Sequence, residues 1–266
     1  RIGALYTKAV TPKPRPGNDV PRIIETPSGM LNSIGLANVG MRRFVSEKLP
    51  FLSSLSCPVV ANVAGDRAED YAEVIDHIEA HDDTIWGYEI NVSCPNVKTG
   101  GLALGTDPGA IELLSRTLKN HTSRPLIVKL TPNVTDVGEA AVAAEHGGAD
   151  AVSCVNTYVG MVIDIERQRT VLPGGTGGLS GPAVRPLGVA VTHRVARSVS
   201  IPVIGLGGIF QPADAIQYLL AGAHAVQVGT ANFVDPTTVE RVLDGIEEYM
   251  SRHDLSTIDD FHELLS

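Results

Sequence analysis

The stretch LIVKLTPNVTDVGEAAVAAEHGGADAVSCV (Leu126–Val155) decides the fold class. It opens on a short apolar run, Leu126–Leu130, interrupted only by Lys129. A strand covered on both faces of a parallel sheet reads this way. Val137–His146 then carries apolar residues at helical spacing and stops at Gly147-Gly148, a helix-terminating signal. A second strand-like run, Ala151–Val155, follows. The unit is β-α-β.

Outward from this unit the alternation repeats. Strands are predicted at Ala4–Val10, Pro58–Val63, Gly87–Ser93, Pro202–Leu206 and Ala225–Gly229. Helices are predicted at Ala68–Ala80, Asp107–Asn120, Ala183–Ser198, Pro212–Ala221 and Pro236–His253, with Asp107-Pro108 reading as an N-cap and first-turn proline. This predicts an α/β protein, a TIM (β/α)₈ barrel spanning 1–266 as a single domain. Seven strands can be counted against the eight required. The chain opens on Arg1 rather than Met, so the first strand is expected to precede it. An open doubly wound sheet is the alternative, but no GxGxxG turn follows the first strand. One segment, Thr11–Gly40, is rich in Pro, Gly and Asn and longer than ordinary barrel loops. It follows a strand, and is read as an inserted flap or hairpin over the active-site end.

Composition narrows the function. The net charge of −9 argues against nucleic acid and anionic membranes as partners. Three cysteines (Cys57, Cys94, Cys154) without a CxxC pair suggest neither a disulfide framework nor a metal or iron–sulfur centre. No apolar run reaches 18 residues, so no membrane span is expected.

Barrel chemistry sits where strands end. Those positions hold Lys8, Asn62, Asn91, Lys129, Asn156 and Thr157. Gly205–Gly208 (GLGG) and Gly229-Thr230 follow the last two strands, where barrels bind phosphate through glycine backbone and helix N-termini, and GLSG at Gly178–Gly181 adds another such loop. Lys8 and Lys129 are costly in a barrel mouth unless they face an anion, and suit either the negative charge that a flavin ring gains on reduction or a Schiff base in an aldolase. Asn32, Asn62, Asn91, Asn96 and Asn156 together offer donors and acceptors for a heterocycle. Cys94, between Ser93 and Pro95, is a candidate general base; Cys154 reads as core. His77 and His81 form an i, i+4 pair, read as a solvated face, so no metal is expected.

NVSCPN (Asn91–Asn96) followed by GGLALGTDP, together with TPSGMLNSIGLAN (Thr26–Asn38), resembles the dihydroorotate dehydrogenases, with TGGLSGPA, GLGGI and VGTANF in the family's order. The resemblance covers essentially the whole chain and implies FMN-dependent oxidation of dihydroorotate to orotate in pyrimidine biosynthesis. It implies Cys94 as the catalytic base, and FMN contacts at Lys8, Ala9, Asn62, Asn91, Lys129, Val155, Gly181, Gly207, Gly208, Gly229 and Thr230. Orotate contacts are implied at Lys8, Asn32, Ser33, Ile34, Gly35, Leu36, Asn91, Asn96, Asn156 and Thr157. Cysteine at position 94 is typical of class 1, where membrane-associated, quinone-using class 2 has serine. ETPSGMLNSIGLANVG is most similar to class 1B. That class implies a cytoplasmic enzyme, a homodimer within a heterotetramer, whose partner subunit carries FAD and a [2Fe–2S] cluster and passes electrons to NAD. The family's first strand, with its Ala-Ser-Gly flavin contact, has no counterpart in these 266 residues. A fumarate-using class 1A enzyme, a dihydropyrimidine dehydrogenase-like FMN barrel, and a flavin-free Schiff-base aldolase or phosphosugar isomerase are the alternatives.

Overall fold

The computed structural model describes residues 2–93, 98–99 and 102–265, which fall into two compact units. The first is Arg1–Gly17 with Gly35–Val152; the second is Asn18–Ile34 with Ser153–Ser266.

In the first unit, strands Leu5–Tyr6, Val59–Val63, Ile85–Asn91 and Leu126–Leu130 pair in chain order, every pair parallel. All five residues of Val59–Val63 are buried, as a strand covered on both faces requires. Helices Ala68–Glu79, Pro108–Lys119 and Val137–His146 follow the second, third and fourth strands. Their starts are built from side chains. Asp107 accepts the Ala110 amide at 2.8 Å, and Asp136 accepts that of Gly138 at 2.8 Å, each satisfying a donor that a helix N-terminus leaves free. The Val137 helix ends as its sequence predicts: Gly148 adopts φ +86°, a left-handed conformation that glycine adopts without strain. Gly147 lies so close to the preceding helix that a Cβ would stand 2.5 Å from the Glu112 carbonyl oxygen.

In the second unit, Val203–Leu206 and Ala225–Gln227 pair in parallel, and Arg185–Ala196, Pro212–Leu220 and Thr238–Arg252 supply the helices. Ile209, Ala215, Tyr218, Leu219, Val242 and the fully buried Phe261 are among the residues of its core. The boundary between the units falls inside a seventh strand of parallel-sheet type, Ala151–Cys154.

The structure also holds elements that periodicity does not predict. Thr11–Gly40 contains an antiparallel hairpin, Ile23–Thr26 with Gly29–Asn32. Its inner strand pairs with Gly177–Ser180, which pairs with Tyr158–Gly160. Helical turns run through Gly40–Arg43, Phe44–Lys48 and Leu49–Leu52, burying Met41, Phe44 and Leu49; Pro50 obscures that pattern in the sequence. The first predicted strand shortens to Leu5–Tyr6, with Val10 returning to bridge Val63.

Phe261, in the short turn Asp259–Glu263, is 0% exposed and closes the core of the second unit. Phe261→Ala is expected to cost about 3–5 kcal/mol, read as a lowered urea midpoint at unchanged slope.

Candidate active site

The two units hold different parts of the predicted site. Lys8, Ala9, Gly35, Leu36, Asn62, Asn91 and Lys129 belong to the first; Asn32, Ser33, Ile34, Val155, Asn156, Thr157, Gly181, Gly207, Gly208, Gly229 and Thr230 belong to the second. Cys94 and Asn96 lie outside the described residues.

In the first unit, strand register sets the geometry. Asn62 pairs with Glu89, and Asn91 with Lys129. Side chains two residues apart share a face, so Asn62, Glu89, Asn91 and Lys129 face the same way. Asn62 Nδ2 donates to Glu89 Oε2 at 2.6 Å, and Lys129 Nζ lies 3.4 Å from the same oxygen. Glu89 is 1% exposed. Lys8 is carried beside this group by backbone bonds, Thr7 N to Val60 O and Val10 N to Asn62 O. Its ammonium is held below the ordinary lysine value, first by desolvation and then by repulsion from Lys129. Lys129 therefore stands between the Glu89 carboxylate and a second cation, Lys8, and the group carries one more positive charge than negative, suited to an anion. Tyr71 donates its hydroxyl to the Asn91 carbonyl at 3.0 Å, steadying the end of that strand.

Sequence reasoning missed Glu89. Its signal is a lone acid inside the buried strand IWGYEIN, where an unpaired carboxylate would be costly.

In the second unit the glycines cluster. Gly181, Gly207 and Gly208 have φ of +100°, +124° and +71°. A Cβ on Gly208 would stand 2.7 Å from the Gly181 carbonyl oxygen, so the two loops touch. A Cβ on Gly229 would meet nothing within 4 Å, and Thr230 Oγ1 bonds Ser180 Oγ at 2.9 Å. The GLGG loop is braced from behind. The Tyr218 hydroxyl donates to the Gly207 carbonyl at 2.7 Å. Asp214 accepts the Phe210 and Gln211 amides at 2.9 and 3.0 Å and pairs with Arg185. These three braces were also missed. The Gln211-Pro-Ala-Asp214 start of a helix is their only sequence signal.

Asn32 and Thr157 converge on Gly178: Asn32 Nδ2 donates to its carbonyl at 3.3 Å, and a Cβ there would collide with Thr157 Oγ1. Asn156 Oδ1 accepts the Thr157 amide at 2.9 Å. Asn18 Nδ2 donates to Ser33 Oγ at 3.0 Å. Gly35 and Leu36 follow with φ of +72° and +54°. Cys154 is buried, which pushes its thiol far up and fits the core role read for it.

His224, Asp259 and His262 present ligand atoms within 4.8 Å of one another, at the start rather than the end of strand Ala225–Gln227. Their hydrogen bonds argue against a metal. Val203 N–H donates to His224 Nδ1 at 3.3 Å, leaving that neutral ring's proton on Nε2, and His262 Nε2 bonds the Ala223 carbonyl at 3.1 Å. One imidazole lone pair is left for a cation, that of His262 Nδ1.

The family model described as Dihydroorotate dehydrogenase matches residues 1–250. Curated relatives carry the name Dihydroorotate dehydrogenase B (NAD(+)), catalytic subunit. That of Geobacter sp. (strain M21) is 48% identical over 257 residues, 97% of this chain and 84% of the relative. Those of Geotalea daltonii and Lachnoclostridium phytofermentans are 46% and 47% identical, over 97% and 98% of this chain and 84% and 86% of their own lengths.

The brace behind the glycine loop can be tested apart from any reaction. Asp214 is 3% exposed, and breaking a buried pair costs 3–5 kcal/mol; the 34% exposure of the Arg185 side chain reduces this. Asp214→Ala is expected to lower unfolding free energy by about 2 kcal/mol and to weaken binding of a phosphate-bearing ligand, both measurable by thermal shift.

Proposed function

From the premise that the chain belongs to the dihydroorotate dehydrogenase family, oxidoreductases built on the TIM barrel, we propose that it oxidises dihydroorotate to orotate on bound FMN and delivers the electrons to NAD through a partner subunit. The observation that carries this reading beyond the family match is the group around Glu89, where Lys8 and Lys129 leave one positive charge in excess.

The residues fit FMN. The left-handed glycines at 181, 207 and 208 and the open space at Gly229 allow backbone to approach a phosphate as no Cβ would permit. Asn62 spends its amide N–H on Glu89, which leaves its carbonyl oxygen as an acceptor. Beside it, Lys129 supplies N–H donors, so the set can read the alternating carbonyl and N–H groups of a flavin's pyrimidine edge. Bound FMN supplies the site with an acceptor for the hydride from C6 of dihydroorotate. Cys94 takes the proton from C5, which together with the hydride accounts for both hydrogens lost. Lys129 offsets the negative charge that reduction leaves on the flavin. Asn32, Asn91, Asn96 and Asn156 hold the pyrimidine flat, and Lys8 faces its carboxylate. An aldolase reading has no support from the family match, and Lys129 stands in an ion pair rather than in the apolar surroundings that make a lysine nucleophilic.

The relatives' names specify a catalytic subunit of an NAD-linked enzyme, which supports a partner. The FAD and [2Fe–2S] groups are assigned to it, since this chain has three cysteines, one of them Cys94. The second unit exposes Val159, Met161, Ile163 and Ile165, at 52–78%, an apolar row suited to a protein contact. Among the described residues no helix is long and apolar enough to cross a membrane, and an NAD-linked acceptor, in place of a membrane quinone, suits a cytoplasmic heterotetramer.

Cys94→Ala is expected to retain its flavin absorbance while turnover falls by about 10²–10⁴; turnover at the wild-type rate would show that another group removes the proton. The electron route is tested by mixing. This chain alone should bleach its flavin with dihydroorotate in stopped flow yet form NADH slowly, and the FAD/[2Fe–2S] subunit should restore NADH formation. Rapid NADH formation without it would remove the partner from the scheme, and rapid fumarate reduction would reassign the chain to the fumarate-using class.

A further inference from the structure

Glu89 is a residue that the reaction as described does not use. It is not among the substrate or proton-transfer residues proposed above, and it sits inside a buried strand. A carboxylate there is expensive to bury unless its charge is compensated. One of its oxygens meets Asn62 at 2.6 Å and Lys129 at 3.4 Å. Both partners are residues read here as flavin contacts, and they approach from the strands on either side of Glu89. Lys8, on a third segment, is close enough to repel Lys129. Removing Glu89 would leave Lys129 and Lys8 facing each other without a counter-charge and would free the Asn62 amide to turn over.

We infer that Glu89 is the positioning residue of the flavin site: its carboxylate anchors Lys129 and fixes the orientation of Asn62, and through the charge it sets against Lys129 it limits how strongly the site favours reduced over oxidised flavin. The inference rests on the reading of this site as an FMN site. The sign follows from charge. Reduced flavin carries negative charge that a nearby cation stabilises, so the Glu89 charge, by offsetting Lys129, disfavours the reduced form.

The test is the midpoint potential of bound FMN, measured by dye equilibration in the purified holoenzyme, with FMN affinity for the apoprotein as a second readout. Glu89→Gln should shift the potential positive, with reduced flavin gaining about tenfold over oxidised, about 30 mV for a two-electron couple. Glu89→Asp keeps the charge on a shorter arm and should stay near the wild-type potential. Lys129→Gln removes the opposite charge and should shift the potential negative. It also serves as the variant to read if Glu89→Gln does not hold flavin. A purely structural Glu89 predicts otherwise: an unchanged potential in Glu89→Gln, or equal shifts in Gln and Asp variants, overturns the inference, as does a Lys129→Gln shift that is absent or positive. Failure of the underlying reading looks different, because the wild-type chain would then bind no FMN or would not reduce it with dihydroorotate.

Discussion

A strand buried on both faces has almost no place for a polar side chain except at its end, and the rest of this molecule follows from that constraint. Val59–Val63, Leu126–Leu130 and, beyond the exposed Trp86, Ile85–Asn91 are packed on both sides, so their functional groups collect where the strands run out. Asn62, Asn91 and Lys129 stand there. Glu89, two residues further in, is tolerated because neighbouring strands bring an amide and an ammonium to it. Register does the assembling: a shift of one residue in any of these pairings would turn the partner side chain to the opposite face.

In the proposed site the second unit has a different task, which is to bring backbone rather than side chains to a phosphate. Its device is Tyr218. The ring is fully buried and crowded by glycines: a Cβ on Gly188 would stand 2.1 Å from its hydroxyl, and one on Gly205 would stand 2.5 Å from its ring. With that space cleared, the hydroxyl reaches the carbonyls of Leu206 and Gly207. Asp214 takes the amides at the far end of the same loop. The glycines at 188 and 205 are therefore packing glycines, while those at 207 and 208 are conformational ones, and GLGG mixes the two kinds.

The barrel class was legible because buried parallel strands and their helices leave strong periodic signals. Leu126–Leu130 and Val137–His146 fall where the sequence places them, and the Asp107 cap forms as its Asp-Pro pair suggests. The antiparallel additions were not legible. Tyr158–Gly160 and Gly177–Ser180 are short, half-exposed and rich in glycine, and their pairing is set by residues far away in the chain. The strand-end residues of the proposed site are readable from position alone. Their supports are not, since Glu89, Tyr218 and Asp214 earn their roles only through what lies opposite them in space. The proposed base, Cys94, rests on a motif, a kind of information independent of packing.

The hairpin also has a consequence for how the chain is made. Strand Gly29–Asn32 lies near the start of the sequence, but its inner edge pairs with Gly177–Ser180, and Asn32 bonds Gly178 across 146 positions. A ribosome adds about 5–20 residues each second, so a newborn hairpin waits on the order of 10 s for the strand that completes it. During that interval Met30 and Leu31 show an open edge, the kind of surface that recruits the wrong neighbour. The first unit's strands meet their partners in chain order and need no such delay.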